Sequence, residues 1–163
     1  NIGILGFSQG ARVMAELLKE VHSIKFAISW SGACHDGIGV FKGWFDEYYQ
    51  EALENGYAKI PMFWREDLLL SKKWFDDIRD TTPMMGLRMY KGPILAIAGD
   101  KDELVPYYHA KELVENSKNE NSKTVIVKNS NHTFNVLMPN ESKANDVIEQ
   151  TIQWINKVLM MNR

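Results

Sequence analysis

Short unbroken apolar runs alternate along the chain with stretches of amphipathic spacing. Four runs have the length and composition of strands, and they fall at residues 1–6, 26–30, 94–98 and 124–128. The run at 94–98 follows Gly-Pro, has no polar interruption and stops at Gly-Asp. Runs of this kind are typical of strands buried on both faces of a parallel sheet. We therefore predict four strands of such a sheet.

Helices are predicted between and after these runs, because apolar residues recur there at helical spacing. The first covers residues 11–21, the second follows Pro106 and the third begins at about Ala144. The apolar faces predicted are Val13, Met14, Leu17, Leu18 and Val21 in the first helix, Ala110, Leu113 and Val114 in the second, and Val147, Ile148, Thr151, Ile152, Ile155, Val158 and Leu159 in the third. Strands that alternate with helices predict an α/β fold with a parallel sheet.

The composition changes between residues 41 and 90, which are rich in aromatic and acidic side chains. Three of the five tryptophans lie there: Trp44, Trp64 and Trp74. Short helices are predicted at 44–54, which ends at Asn-Gly, and after Ser71, a plausible N-cap. The segment is too long for a simple βα connection, so we interpret it as a helical cap inserted into the core. The predicted organisation is core, cap and core: residues 1–40, 41–90 and 91–163.

Composition and charge exclude several classes of function. The 163 residues suffice for one domain, and a formal net charge of −2 argues against a nucleic-acid partner, which needs a clustered basic face. The longest apolar runs are too short to span a bilayer. A single cysteine, Cys34, excludes an intrachain disulfide and a cysteine-based zinc cluster. We interpret it as a passive thiol, compatible with a reducing, cytoplasmic compartment.

The candidate nucleophile is Ser8, in the pentapeptide Gly-Phe-Ser-Gln-Gly at residues 6–10. It fits the pattern G-x-S-x-G between a predicted strand and a predicted helix, where a nucleophile elbow requires it. We expect Gly6 and Gly10 to give the sharp turn its room. The turn then directs the backbone amide of Gln9 and the helix N-terminus at a developing oxyanion. The alternative is that Ser8 only caps the helix.

A serine nucleophile needs a base beside it, and His132 is the first candidate. It lies in a polar loop directly after the fourth predicted strand. Loops at the carboxyl ends of parallel strands form the ligand crevice, and Ser8 is also at such an end. His35, after the second strand, is a second candidate. His22 and His109 are predicted to be surface residues.

The third member should be a carboxylate that orients the imidazole. Asp102 lies in the loop after the third strand and is free to reach across, whereas Asp100 has the position of a residue that closes a turn. The chain order Ser8, Asp102, His132 is the order expected of this architecture. Asp36, after the second strand, is the runner-up acid.

These motifs together resemble the C-terminal portion of an α/β-hydrolase. Gly-Phe-Ser-Gln-Gly resembles the elbow of carboxylesterases and acyl-protein thioesterases, and Ser-Asn-His-Thr-Phe at 130–134 resembles the histidine loop. Gly-Asp-Lys-Asp-Glu-Leu-Val-Pro at 99–106 resembles the acid loop, whose second aspartate, here Asp102, is the triad member. A cap in the position of residues 41–90 is also usual in the family.

The resemblance implies that the chain begins at the fifth of eight strands. The four preceding strands would then belong to a longer protein, together with the loop that provides the second oxyanion-hole amide. Removal of one such donor lowers turnover by roughly 10²–10³. The first strand of this chain would be left as an exposed sheet edge.

The function expected from these residues is serine hydrolysis of a small-molecule carboxylic ester through an acyl-enzyme. Thioesters, peptides and acyl-amino acids are alternatives, because fold and triad do not choose the bond. A non-catalytic α/β-hydrolase-like module or fragment is the alternative from another class. No metal or organic cofactor is implied, and the sequence makes no prediction of oligomeric state.

Overall fold

The computed structural model describes residues 2–62 and 65–161, so Asn1 of the first predicted strand and Trp64 lie outside the described residues. The described residues form two compact units, one of residues 2–34 and 83–161 and the other His35–Thr82. In chain order the elements are β1 (Ile2–Phe7), α1 (Gln9–Leu17), β2 (Ile24–Trp30), a 3-10 turn (Gly39–Phe41), α2 (Lys42–Asn55), β3 (Tyr57–Ile60), β4 (Leu68–Ser71), α3 (Lys72–Asp80), α4 (Pro83–Met89), β5 (Ile94–Gly99), α5 (Tyr108–Glu115), β6 (Lys123–Val127) and α6 (Ala144–Met161).

The first unit contains a parallel sheet whose described strands have the order β1-β2-β5-β6. All six residues of β5 are buried, as its unbroken apolar run predicted. The pairing sets Ala27 beside Ile94 and Ile97 beside Val125. β1 lies at the edge of this sheet, and its Ile2 and Leu5 are exposed. The predicted α/β fold and its four parallel strands are confirmed.

Helices cover both faces of the sheet. Alternate residues of β5 point to opposite faces, so they pack against different helices. Ala96 and Ala98 belong to the cluster built with α1, α4 and α5, whereas Leu95 and Ile97 belong to the cluster built with α6. The small residues of β5 therefore face the side that carries three helices. The carboxyl ends of all four strands lie along one edge of this layered core.

The predicted buried faces of α1 and α6 were partly wrong. In α1 the buried apolar side chains are those of Ala11, Met14 and Ala15, and Val13 is 64% exposed. In α6 the buried residues follow helical spacing: Val147, Thr151, Trp154 and Val158. Ile148, Ile152 and Leu17 are exposed instead. The face of α6 is set by its largest side chain, because the Trp154 indole packs in the core and donates to the Asn121 carbonyl at 2.9 Å.

The second unit, His35–Thr82, contains both helices that the sequence predicted for this region. α2 ends at Gly56 in the left-handed conformation, and α3 begins at Ser71, whose Oγ accepts from Trp74 N at 3.1 Å. The antiparallel pair β3–β4 was not predicted. The boundaries 41 and 90 stay a prediction, and the compact unit runs from 35 to 82.

Aromatic side chains build the core of this second unit. Phe75 is fully buried, and its ring makes edge contacts with Trp74 at 4.9 Å and Phe45 at 5.1 Å between centroids. The aromatic composition of the segment therefore has a packing role within the unit itself. None of the helices in the described part of the chain is long and apolar enough to cross a membrane.

Candidate active site

Ser8 occupies the single-residue connection between β1 and α1. Its φ of 52° and ψ of −121° lie in a region that residues with a side chain rarely adopt. Three backbone hydrogen bonds fix the turn: Ser8 N donates to Trp30 O at 2.9 Å, and Ser8 O accepts from Ala11 N and Ala33 N, each at 3.1 Å. The strained turn is thus supported by β2, by the first turn of α1 and by the segment after β2.

The structure brings Ser8, His132 and Asp102 together in one hydrogen-bonded row. His132 Nε2 lies 2.9 Å from Ser8 Oγ, and His132 Nδ1 lies 2.8 Å from Asp102 Oδ2. The Ser8 side chain makes no capping hydrogen bond to the described residues of α1, which speaks against the alternative of a simple helix cap. Its hydroxyl faces the imidazole instead.

Asp102 is held so that one carboxylate oxygen faces the histidine. Its Oδ1 accepts from Leu104 N at 2.9 Å and from Val105 N at 2.8 Å, which leaves Oδ2 for His132. The Asp102 side chain is fully buried. A buried carboxylate with three hydrogen-bond donors keeps a fixed orientation.

The other acidic candidates take different positions. The Asp100 side chain contacts the segment after β6 instead of closing its own turn: its Oδ1 accepts from Ser130 N and its Oδ2 lies 3.4 Å from Lys128 Nζ. Burial alone would raise the pKa of the Asp100 carboxyl, but the amides of Ser130 and Asn129 and the Lys128 ammonium group lower it. Asp36 is exposed and belongs to the second unit.

The remaining histidines do not contact Ser8 among the described hydrogen bonds. His22 is exposed, as predicted, and His35 is half-buried in the second unit. The prediction of a surface position for His109 was wrong, since only 7% of that residue is exposed. His109 lies four residues before Leu113 on α5, so both side chains share the face that packs against the sheet.

The loop that carries His132 is organised by two asparagine side chains. Asn131 Oδ1 accepts from Asn135 N at 2.8 Å, and Asn131 N donates to Asn135 Oδ1 at 2.9 Å. Asn135 Nδ2 also donates to the carbonyls of Asn129 and Glu141. Asn135 is buried with a φ of 57°, a conformation that asparagine tolerates. The polar composition of the loop was the available signal, but Asn135 was not singled out from the sequence.

Phe7 and Ser31 also contact His132. The Phe7 ring lies 5.3 Å from the imidazole between centroids. Ser31 Oγ donates to the His132 carbonyl at 2.9 Å. Neither residue was singled out from the sequence, because these partners are more than a hundred positions away along the chain.

The model of the family described as serine hydrolase (FSH1) matches residues 2–148, which is most of the chain and includes Ser8, Asp102 and His132. The chain belongs to this serine hydrolase family. A comparison with curated proteins gives no match.

Several solved structures are similar to this serine hydrolase chain. Est1E from Butyrivibrio proteoclasticus is 21% identical, with a TM-score of 0.73 over 98% of this chain and 62% of that chain. The esterase domain of a Rhodothermus marinus protein is 15% identical, with a TM-score of 0.68 over 95% and 61%. Paleococcus ferrophilus monoacylglycerol lipase is also 15% identical, with a TM-score of 0.68 over 97% and 69%.

The TM-scores of these matches show that the chain shares the α/β-hydrolase fold. The chain spans about six tenths of the length of the first two structures. The resemblance stated from the motifs is confirmed at the level of the family and of the fold.

Cys34 is the free thiol of this serine hydrolase, and it is fully buried. Burial raises the pKa of the Cys34 thiol to about 12, although the nearby Arg12 charge and the Ser29 hydroxyl oppose the increase. A thiol with this pKa stays protonated at neutral pH and is a weak nucleophile. This agrees with the interpretation of Cys34 as a passive residue.

The two glycines of the elbow differ in the space around them. A Cβ on Gly6 would lie 2.4 Å from Ala11 Cα, whereas a Cβ on Gly10 would meet nothing within 4 Å among the described residues. The expectation that both glycines give the turn its room is therefore correct for Gly6 and wrong for Gly10. Gly6 is required because the strand and the helix backbone meet at its Cα.

We expect Gly6→Ala to lower the free energy of unfolding by about 1–3 kcal/mol or more, because the added methyl must displace helix backbone. Gly10→Ala is the matched control, and the higher helix propensity of alanine makes it neutral or stabilising by up to about 1 kcal/mol. Urea unfolding of the two variants measures the difference. Equal unfolding midpoints for both would contradict the steric role of Gly6.

Proposed function

We propose that the chain carries the catalytic centre of a hydrolase that cleaves carboxylic esters through an acyl-enzyme. Ser8 is the nucleophile, His132 the general base and Asp102 the residue that orients and stabilises the imidazole. The observation that supports this most directly is the continuous row of contacts, 2.9 Å from Ser8 Oγ to His132 Nε2 and 2.8 Å from His132 Nδ1 to Asp102 Oδ2. Membership of the serine hydrolase family supports it independently.

Acylation begins when Ser8 Oγ attacks the ester carbonyl and gives its proton to His132 Nε2. Asp102 accepts a hydrogen bond from the Nδ1–H of His132, which keeps Nε2 free to act as the base and stabilises the imidazolium that forms. His132 then protonates the leaving alkoxide, and the alcohol departs. His132 then deprotonates a water molecule, which attacks the acyl carbonyl. The tetrahedral intermediate collapses as the imidazolium returns its proton to Ser8 Oγ, and the carboxylic acid leaves.

The oxyanion formed in each half of the reaction needs hydrogen-bond donors that are already in place. We assign one of them to the backbone N–H of Gln9. Gln9 is the first residue of α1, so its N–H has no acceptor within the helix, and the positive end of the helix dipole adds to its effect. Gln9 directly follows Ser8 in the chain, so its amide belongs to the same turn as the proposed nucleophile.

The substrate proposed is a small-molecule carboxylic ester. Similar structures are named as an esterase domain and a monoacylglycerol lipase, and esters make the smallest chemical demand on a triad. Thioesters, peptides and acyl-amino acids remain the competing substrates, since the same three residues serve them all. The complete row from Ser8 to Asp102 disfavours a non-catalytic module. The cytoplasmic location stays a prediction from the single cysteine.

The proposal is tested by reacting the full-length protein with an alkyl fluorophosphonate and mapping the adduct by mass spectrometry. We expect one modified residue, in the peptide that contains Ser8, and loss of activity in proportion to labelling. A panel of p-nitrophenyl esters, an acyl thioester and an acyl anilide, matched in acyl chain, then ranks the bonds. Labelling at another residue, or faster cleavage of the anilide than of the esters, would contradict the proposal.

A further inference from the structure

Ser31 stands at the carboxyl end of β2 in an unusual conformation. It follows Trp30, the last residue of the strand, and its φ of 46° lies in the left-handed region. The residue is completely buried, and its N–H donates to Ile97 O of β5 at 2.8 Å. A buried, non-glycine residue with positive φ is held there by its surroundings, and such positions cluster at functional sites.

The side chain of Ser31 has a specific partner. Its hydroxyl donates to the backbone carbonyl of His132 at 2.9 Å, which joins the end of β2 to a residue 101 positions later. A glycine would adopt this backbone more easily but would have no hydroxyl to donate.

The other contacts around His132 involve its imidazole ring or other residues of its loop. Asp102 holds the far end of the imidazole at Nδ1, and the Phe7 ring packs against it. Asn131 and Asn135 close the loop by bonding to each other and to loop backbone. Ser31 differs from these residues, because its hydrogen bond joins the main chain of His132 to the residue that follows β2.

We propose that Ser31 is a positioning residue that, through the His132 carbonyl, sets the imidazole at hydrogen-bond distance from Ser8. The inference rests on the proposed function, because positioning matters only if His132 is the base. β2 and β5 are fixed by the sheet, whereas the histidine loop lies beyond the end of β6. The hydrogen bond from the Ser31 hydroxyl thereby restricts the movement of the His132 backbone, and with it the position of Nε2. A displacement of about 1 Å at such a site can lower the rate roughly 10²-fold.

The test compares Ser31→Ala with Ser31→Gly in the full-length protein. Both variants lack the donor, but glycine adopts positive φ without strain whereas alanine does not. We expect kcat for a p-nitrophenyl ester to fall about 10- to 100-fold in both, with KM nearly unchanged, because the loss concerns alignment and not substrate binding.

Ser29→Ala is the matched control. Ser29 is a buried serine of β2 two residues earlier, and its hydroxyl lies beside the Cys34 thiol. We expect this variant to keep the kcat of the unmodified protein. A spectroscopic readout separates positioning from stability: the downfield proton resonance of the His132–Asp102 hydrogen bond should shift or broaden in both Ser31 variants and stay unchanged in Ser29→Ala.

The outcomes are distinct. A Ser31→Gly variant with unchanged kcat and unchanged resonance overturns the inference, since only the backbone conformation would then matter. A fall in kcat of the same size in Ser29→Ala overturns it as well. Ser8→Ala, assayed in parallel, separates the two proposals: if it is inactive while Ser31→Gly is fully active, only the role of Ser31 fails. If Ser8→Ala remains active, the proposed function and the role of Ser31 both fail.

Discussion

Replacement of Ser8 by alanine is expected to lower kcat for ester hydrolysis by about 10⁶ and to leave the fold unchanged. The loss is large because a missing nucleophile makes His132 and Asp102 useless as well, and triad members act as a unit. The fold should persist because the Ser8 hydroxyl caps nothing in the described part of α1. Steady-state kinetics and thermal unfolding of the same preparation measure the two effects.

Ser71→Ala is the control with the opposite pattern. The Ser71 hydroxyl accepts from Trp74 N at 3.1 Å as a true N-cap of α3. Its loss should lower the free energy of unfolding by about 1 kcal/mol and leave kcat unchanged. A Ser8→Ala variant that is destabilised as much as Ser71→Ala, and still hydrolyses esters, would show that Ser8 is only a capping residue.

The elements that local signals specify were predicted well. β5 was recognised because residues 94–98 give an unbroken apolar run, and the C-terminus of α2 and the N-terminus of α3 were marked by Gly56 and Ser71. The pair β3–β4 was missed because each strand has only four residues and the connection contains no tight-turn dipeptide. The strand order β1-β2-β5-β6 depends on long-range pairing that a single sequence does not reveal.

Helix faces were harder to predict than helices. In α6 the apolar residues occupy more than one side, so periodicity alone favoured Ile148 and Ile152, which the structure leaves exposed. Trp154 decides the face because it fills the largest volume against the sheet and also finds an acceptor for its indole N–H. His109 is a similar case, since its position on α5 relative to Leu113 determines its burial more than its polarity does.

The candidate site was accessible from the sequence because each chemical residue follows a strand and stands in a recognisable motif. The structure brings Ser8, Asp102 and His132 together, and their roles stay a proposal. Ser31 and Asn135 were not accessible, because their importance lies in side-chain hydrogen bonds to backbone carbonyls. Such contacts depend on how loops approach each other, and no sequence motif indicates them.

Asp102→Asn is expected to lower kcat by about 10⁴ with little change in stability. The reason lies in the two amides that bind Asp102 Oδ1, those of Leu104 and Val105. An asparagine keeps its carbonyl oxygen on these donors, so its NH₂ group takes the place of Oδ2 and points at His132 Nδ1. The imidazole must then accept at Nδ1 and carry its proton on Nε2, where it cannot receive the proton of Ser8.

Asp100→Asn is the matched control, because Asp100 lies two residues earlier and its carboxylate is bound to Lys128 and Ser130. Neutralising it removes a similar charge from the same loop without changing the tautomer of His132, so kcat should stay nearly unchanged. Kinetics of both variants, with fluorophosphonate labelling rates as a second readout, measure the contrast. Equal falls in kcat would mean that loop charge, and not the orientation of the imidazole, is what Asp102 provides. A steep fall confined to Asp102→Asn is the result that identifies the acid of the triad.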